Sequence, residues 1–473
     1  MLPRTWYLIK PIRAAAVLFP MNPTQLMRFV LLAVLSLLVA SLQAQGPEIT
    51  SWTLNGGETG SYYVQGNSTP QTMTTLANVQ AVQYNAVNVY ITATGIPDYP
   101  TGPFLDGNPS LAGDNGYIFR IPRDPQPASG TSMEPPLGHI GVLKNGVPIY
   151  NAEDAMSYNG QGIWLRNAVY WENDGMDCSK GHPAPNMGPG GLAQGRYHHH
   201  QNPVAFTTAG VLLSSICTLY PAASLYSPDP NAHSPLLGYA FDGYPIYGCF
   251  GYDDPADPNS GIRRIESSYA TRNITVRETL PDGTVLQPAQ YGPGVNAQYP
   301  LGAYIQDYEY VAGSGDLDEH NGRFCVTPEY PGGTYAYFAT ADADLNSAYP
   351  YFIGDTYYGE VANDNFGIPG PGNPATNVTV PGGVTDWTGN TAVLEQVDAS
   401  LSVWPNPTSD QVRVILPAGT TELVLMAVDG RVLNTWLAPT GMLPVDLADH
   451  AAGTYVLRAQ GANTVAVARV VRE

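Results

Sequence analysis

Gly141-Val142-Leu143-Lys144-Asn145-Gly146-Val147-Pro148-Ile149-Tyr150 returns later in the chain as Gly238-Tyr239-Ala240-Phe241-Asp242-Gly243-Tyr244-Pro245-Ile246-Tyr247. Both stretches fit G-x-x-x-[ND]-G-x-P-I-Y. Asn-Gly and Asp-Gly are hairpin-turn dipeptides, because both central positions of the tight turn need positive φ. Apolar residues flank each turn, so each copy reads as a β-hairpin.

A second echo follows each hairpin. Asp177-Cys178-Ser179-Lys180-Gly181 precedes Gly195-Arg196-Tyr197, and Asp318-Glu319-His320-Asn321-Gly322 precedes Gly333-Thr334-Tyr335. The same two elements in the same order twice indicate a tandem duplication. Its copies span about residues 137–200 and 234–338. Pro148 should then match Pro245, and Tyr197 should match Tyr335. The copies differ where the imidazoles fall: Tyr197-His198-His199-His200 stands where the second copy has Tyr335-Ala336-Tyr337-Phe338.

The chain holds eight histidines, and three of them are consecutive. On a strand, side chains alternate faces. His198 and His200 should share one face, with Tyr197 and His199 on the other. Paired neutral imidazoles are good ligands for copper or zinc. His182, on the turn-rich segment upstream, is a candidate third ligand, and His233, before a Ser-Pro turn, is another. Three such ligands would leave one coordination position open. His139, His320 and His450 read as structural. Asp177 and Asp242 read as turn residues bonding backbone. Asp253-Asp254-x-x-Asp257 lacks the spacing of a calcium loop and reads as an ordinary acidic loop. No nucleophile elbow, phosphate-binding loop, metalloprotease helix or dinucleotide fingerprint is present, so no catalytic or cofactor-binding residue is assigned.

Composition sets the class. Charged residues are scarce, while 50 glycines, 43 prolines and 31 tyrosines are abundant. Glycine and proline are poor helix formers, so short strands and tight turns should dominate. Arg28 precedes the apolar run from Phe29, which ends at Leu42-Gln43-Ala44. That is the pattern of a signal peptide with cleavage before Gln45. Its apolar core is short for a membrane span, so no integral span is expected in the mature protein. Residues 1–44 carry four basic residues and no acidic ones. Their removal takes the formal charge from −20 to −24. Such a chain repels nucleic acid and anionic membranes.

Four cysteines remain: Cys178, Cys217, Cys249 and Cys325. An even count in an exported chain favours disulfides, with three pairings open. The preferred pairing is Cys178–Cys217, which would enclose the histidines, with Cys249–Cys325 following. Residues 81–91 alternate like one half-buried strand. Residues 98–136 read as a long surface excursion.

After Tyr358 the chain becomes rich in Gly and Pro, as in Ile368-Pro369-Gly370-Pro371-Gly372. A compact β-rich segment follows, with strands at 412–415, 422–426 and 454–457 and a hairpin turn at Asp429-Gly430. The expected fold is mainly β: a large β-rich body with two related halves, plus a small C-terminal Ig-like β-sandwich. The expected parts are an upstream extension and signal peptide (1–44), the body (46–360), a Gly/Pro linker (361–397) and the C-terminal domain (398–473).

Two resemblances follow from particular residues. Val403-Trp404-Pro405-Asn406-Pro407-Thr408, Asp429-Gly430-Arg431-Val432-Leu433 and Ala452-Gly453-Thr454-Tyr455-Val456-Leu457 resemble the type A sorting domain of the Bacteroidetes type IX secretion system. That resemblance implies the secretion machinery as a partner, and a secreted or outer-membrane-surface location. The body, about 80–360, resembles the YHYH proteins. It does so through Asp177 to Pro183, Tyr197-His198-His199-His200, His233 to Gly248 and Leu317 to Arg323. His199 departs from the motif, standing where its second Tyr would be. This family carries no settled activity. The function read from all this is a secreted or cell-surface protein that binds copper or zinc through a histidine cluster. Two alternatives stand beside it: a metal-dependent extracellular hydrolase or oxidase, and a surface adhesion or glycan-binding protein whose histidines are structural. An extracellular glycan or small molecule is a candidate partner in those readings.

Overall fold

The structure is a computed structural model. It describes residues 45–107, 110–184, 195–204, 224–366, 376–389, 401–416, 420–427, 431–437, 441–461 and 465–473. The signal-peptide reading, Cys217, the Asp429-Gly430 turn and most of the Gly/Pro stretch lie outside these residues.

The molecule is mainly β. Its centre is an eight-stranded sheet built from β1 (His139–Leu143), β2 (Pro148–Tyr150), β3 (Gly181–Ala184), β4 (Arg196–His199), β5 (Leu236–Ala240), β6 (Pro245–Tyr247), β7 (Gly322–Cys325) and β8 (Thr334–Phe338). Their order across the sheet is β3-β4-β2-β1-β5-β6-β8-β7. Read inward from either edge, the connections are the same. β1–β2 and β5–β6 are the two antiparallel hairpins of the repeated motif. β4 runs parallel to β2, and β8 runs parallel to β6. The two halves meet where β1 pairs with β5. Pro148 and Pro245 both open the second hairpin strand. Gly146 and Gly243 sit at φ 80° and 93°, the conformation the turns require of glycine.

The second echo is also one structural device used twice. The Asp177 N–H bonds Gly181 O, and the Lys180 N–H bonds Asp177 O; Asp318 and Asn321 repeat both bonds with Gly322 and Asp318. Lys180 and Asn321 take positive φ, 68° and 65°. The Tyr197 hydroxyl donates to Asp177 at 2.9 Å, and the Tyr335 hydroxyl donates to Asp318 at 2.8 Å. A Cβ on Gly181 or Gly322 would collide with that tyrosine. Glycine is therefore required where the tyrosine reaches back to the aspartate.

Both faces of this sheet are covered. On β8, Tyr335 and Tyr337 join a core with Tyr197, Ile149, Ile246, Tyr349, Tyr351 and Tyr357. Ala336 and Phe338, pointing the other way, join Val82, Val89, Ile91, Phe119 and Ile121. The latter residues belong to a four-stranded sheet of Thr385–Trp387, Val79–Tyr84, Asn88–Ala93 and Tyr117–Pro122. In the segment joining β6 to β7, Arg277 and Asp307 form a fully buried ion pair with N···O distances of 2.7 Å. Backbone groups satisfy their remaining donors and acceptors: Arg277 donates to Pro293, Tyr299 and Pro300 carbonyls, while Asp307 accepts from Gly302 and Tyr304.

Four expectations need correction. Residues 81–91 form a hairpin, not one strand, because the Asn85 side chain accepts from the Val87 and Asn88 amides and turns the chain. Residues 98–136 are no surface excursion: Phe119 and Ile121 are fully buried in the strand Tyr117–Pro122, which pairs with Asn88–Ala93. Residues 361–397 are not all linker, since Thr385–Trp387 pairs with Val82–Tyr84 and Asp364 holds Arg120. Cys249 and Cys325 are free and buried rather than bonded to each other. They lie in separate apolar clusters, Cys249 with Phe250 and Ala341, Cys325 with Leu317 and Phe338. Burial pushes the Cys249 thiol up to about 11. Cys178 is not a free thiol.

The C-terminal residues form a three-stranded sheet (Ser402–Trp404, Gln411–Ile415, Met442–Asp446) and a four-stranded sheet (Thr420–Ala427, Val432–Leu437, Gly453–Gly461, Val465–Arg472). Val412, Val414, Leu423, Leu425, Val445 and Leu457, all fully buried, fill one core shared by both, as in a β-sandwich.

Two outcomes test this description. Alkylation without reductant should leave Cys249 and Cys325 unmodified in the native protein and modify both after unfolding. A Cys249–Cys325 crosslink in the mass spectrum would contradict it. Tyr197→Phe should destabilise the fold by about 2 kcal/mol in urea unfolding, the scale of a lost hydrogen bond to a buried carboxylate. A neutral Tyr197→Phe would mean that the hydroxyl does not hold the turn.

Candidate functional site

β3 and β4 pair antiparallel with His182 directly opposite His198 and Gly181 opposite His199. Directly opposed residues project to the same face of a sheet. His182 therefore joins His198, and His200, one period further along, joins both. One ring nitrogen from each of these three side chains lies within 4.8 Å of the others, and all three residues are buried. His199 points to the opposite face, where its Nε2 meets the Tyr99 hydroxyl at 2.9 Å.

Each imidazole is held in a defined orientation. His198 Nδ1 lies 2.7 Å from Arg196 O, and His200 Nδ1 bonds Asn151 O. A carbonyl accepts only from an N–H, so in the neutral rings both Nε2 atoms carry lone pairs. These two atoms are 3.0 Å apart. The Tyr150 ring stacks on His198 with centroids 3.6 Å apart. Burial lowers His182 to about 4 and His198 well below the ordinary imidazole value, a shift the neighbouring histidines increase. Both are neutral near pH 7, the state a metal ligand needs.

A carboxylate completes the cluster. Glu172 Oε2 lies 3.2 Å from His200 Nε2 and 3.4 Å from His182 Nε2. Glu172 closes the short helix Ala168–Trp171, its amide bonding Ala168 O. That helix is anchored at both ends. Asn167 caps it by accepting from the Val169 amide, and is itself bonded to Tyr351 and Gly302. The Trp171 indole N–H donates to Ala303 O at 2.7 Å. Glu172 Oε2 and His182 Nε2 are buried with no hydrogen-bond partner.

The structure thus brings together His182, His198 and His200 and leaves His233 apart. His233 sits in the second half, its Nδ1 on Ser234 O and its ring beside Tyr247 and Tyr252. Asp177 and Asp242 bond turn amides, as their turn positions suggested. Asp253 pairs with Arg263, and Asp254 and Asp257 bond local amides. Sequence reading missed Glu172. It has no motif spacing to the histidines, and only the helix end places it beside them.

The second half shows what replaces the cluster. In the β7–β8 pair, Arg323 lies opposite Ala336, as His182 lies opposite His198. Its guanidinium carbon is 5.4 Å from the ring centroid of Phe338, the counterpart of His200. A permanent cation therefore occupies the face on which the first half places its imidazoles.

Two known families match parts of the chain. No curated protein matches the chain. Residues 118–350 match the YHYH protein family, a span that contains the whole eight-stranded sheet. Residues 402–473 match the secretion system C-terminal sorting domain. That tail marks the chain for secretion to the outer-membrane surface and implies engagement with type IX secretion machinery. Among the described residues no helix is long and apolar enough to cross a membrane. The chain is a YHYH protein with a C-terminal secretion sorting domain.

Proposed function

We propose that this secreted protein binds copper or zinc through the Nε2 atoms of His182, His198 and His200. The carrying observation is the 3.0 Å separation of His198 Nε2 and His200 Nε2, each ring having committed its Nδ1 proton to a backbone carbonyl. Two buried lone pairs at that distance repel unless a cation lies between them. The unpartnered His182 Nε2 fits the same need, since a buried polar atom without a partner is costly. The second half supports this reading independently, because there a guanidinium supplies positive charge at the matching place on the sheet. Imidazole suits both copper and zinc. His233 is left out of the ligand set. No activity is assigned to the centre.

Elemental analysis and titration of the purified protein test the proposal. Wild-type protein should take up one zinc or copper ion per chain, and His182→Ala, His198→Ala and His200→Ala should each lose it. His233→Ala should retain it. His199→Gln, which changes the opposite face, should retain it as well. Wild-type protein that stays metal-free in excess zinc and copper would make the cluster a structural core sharing a proton.

Export supplies a second test. We infer that a signal peptide is removed before Gln45 and that the sorting domain is removed or exchanged on reaching the surface. The signal-like run and the family match at 402–473 support this. Mass spectrometry of the native protein should find a mature start near Gln45 and no peptides from 402–473. An intact full-length chain at the cell surface would contradict it.

A further inference from the structure

We infer that Glu172 is the fourth ligand of this centre, and that the centre is consequently built for a divalent ion, zinc foremost, rather than for copper(I). The inference deepens the metal reading of the histidines and rests on it.

Geometry carries the assignment. A tetrahedral zinc ion with ligands at about 2.0–2.1 Å separates neighbouring donor atoms by about 3.3 Å. Three donor–donor separations in the cluster are 3.0 Å (His198–His200), 3.2 Å (His200–Glu172) and 3.4 Å (His182–Glu172). These are edges of one tetrahedron of the right size, drawn by four side chains from three separate elements. The remaining nitrogen pairs lie within 4.8 Å, and Glu172 touches His182 and His200 but not His198, so His182 and Glu172 both need to draw in toward His198.

Charge and bonding point the same way. Among the described residues no lysine or arginine pairs with Glu172; its ion-pair contacts are His182 and His200. Its Oε2 is buried without a hydrogen bond, facing His200 Nε2, whose ring has committed its Nδ1 proton to Asn151 O. An anion so placed is costly unless a cation joins it. Three neutral imidazoles and one carboxylate leave a divalent ion with a net charge of one. Copper(I) favours soft thiolate and thioether ligands, and this donor set has none.

The same geometry revises the expected open position. With Glu172 bound, four protein atoms close the tetrahedron, as in structural sites. The side chains of His182 and His200 are 8% and 4% exposed, whereas that of Glu172 is 30% exposed. Glu172 is therefore the ligand at the solvent side of the centre, the one an incoming donor would displace.

Zinc titration of the full protein and its Glu172→Gln variant, with an anomalous-difference map of zinc-soaked wild-type crystals, tests this. Glu172→Gln keeps the shape and removes the charge. It should lower zinc affinity at least 10- to 100-fold, the range seen when even an outer-shell partner of a metal centre is removed. Copper(I) affinity, measured under reducing conditions, should stay unchanged. The anomalous peak should lie about 2.0–2.2 Å from a Glu172 oxygen and from three imidazole nitrogens. Zinc held equally tightly by Glu172→Gln would overturn the inference and leave the three-histidine reading standing. A peak on three imidazoles with Glu172 turned away would do the same. Wild-type protein that takes no zinc would end both. Should Glu172→Gln fail to fold, the wild-type map decides alone.

Discussion

The register between β3 and β4 is the constraint on which the site depends. A slip of one residue would send every side chain of a strand to the other face. His182 would then leave His198 and point toward the Tyr99 side of the sheet. The register is held by the buried Asp177 carboxylate. It accepts from the Gly102, Ser179 and Gly181 amides and from the Tyr197 hydroxyl. Burial raises this carboxyl to about 6 despite those four bonds. The turn, the glycine that admits Tyr197 and the strand that carries the imidazoles are all fastened at one residue.

The duplication separates what the fold needs from what the site adds. Asp318, Asn321, Gly322 and Tyr335 repeat the fastening, and β5–β6 repeats the hairpin, so the second half keeps its scaffold without any imidazole on the sheet. Its face instead carries Arg323 against Phe338. One half holds a built-in cation. The other holds four donor atoms that together ask for one.

Much of this was legible in the sequence, for physical reasons. Hairpins at Asn145-Gly146 and Asp242-Gly243 could be read because turn chemistry is local. The shared face of His198 and His200 follows from a period of two. The sandwich strands were legible because short apolar runs recur at close spacing there. Other features depend on contacts far apart in the chain. Glu172 reaches the histidines only because Asn167 and Trp171 fasten its helix to residues 302–303 and 351. Cys249 and Cys325 invited pairing by count, yet they fall in different clusters. Arg120, which ties Asp364 back to the body, carries no sequence signal linking it to a partner so far along the chain.

The account's central claim is that the imidazoles of the first half share one cation. Zinc-edge X-ray absorption on the zinc-loaded protein examines it most directly, because imidazole rings leave a multiple-scattering signature that can be counted. The account predicts three imidazoles and one oxygen around a single zinc. One imidazole or none, with oxygen ligands making up the rest, would place the metal on surface carboxylates and contradict it.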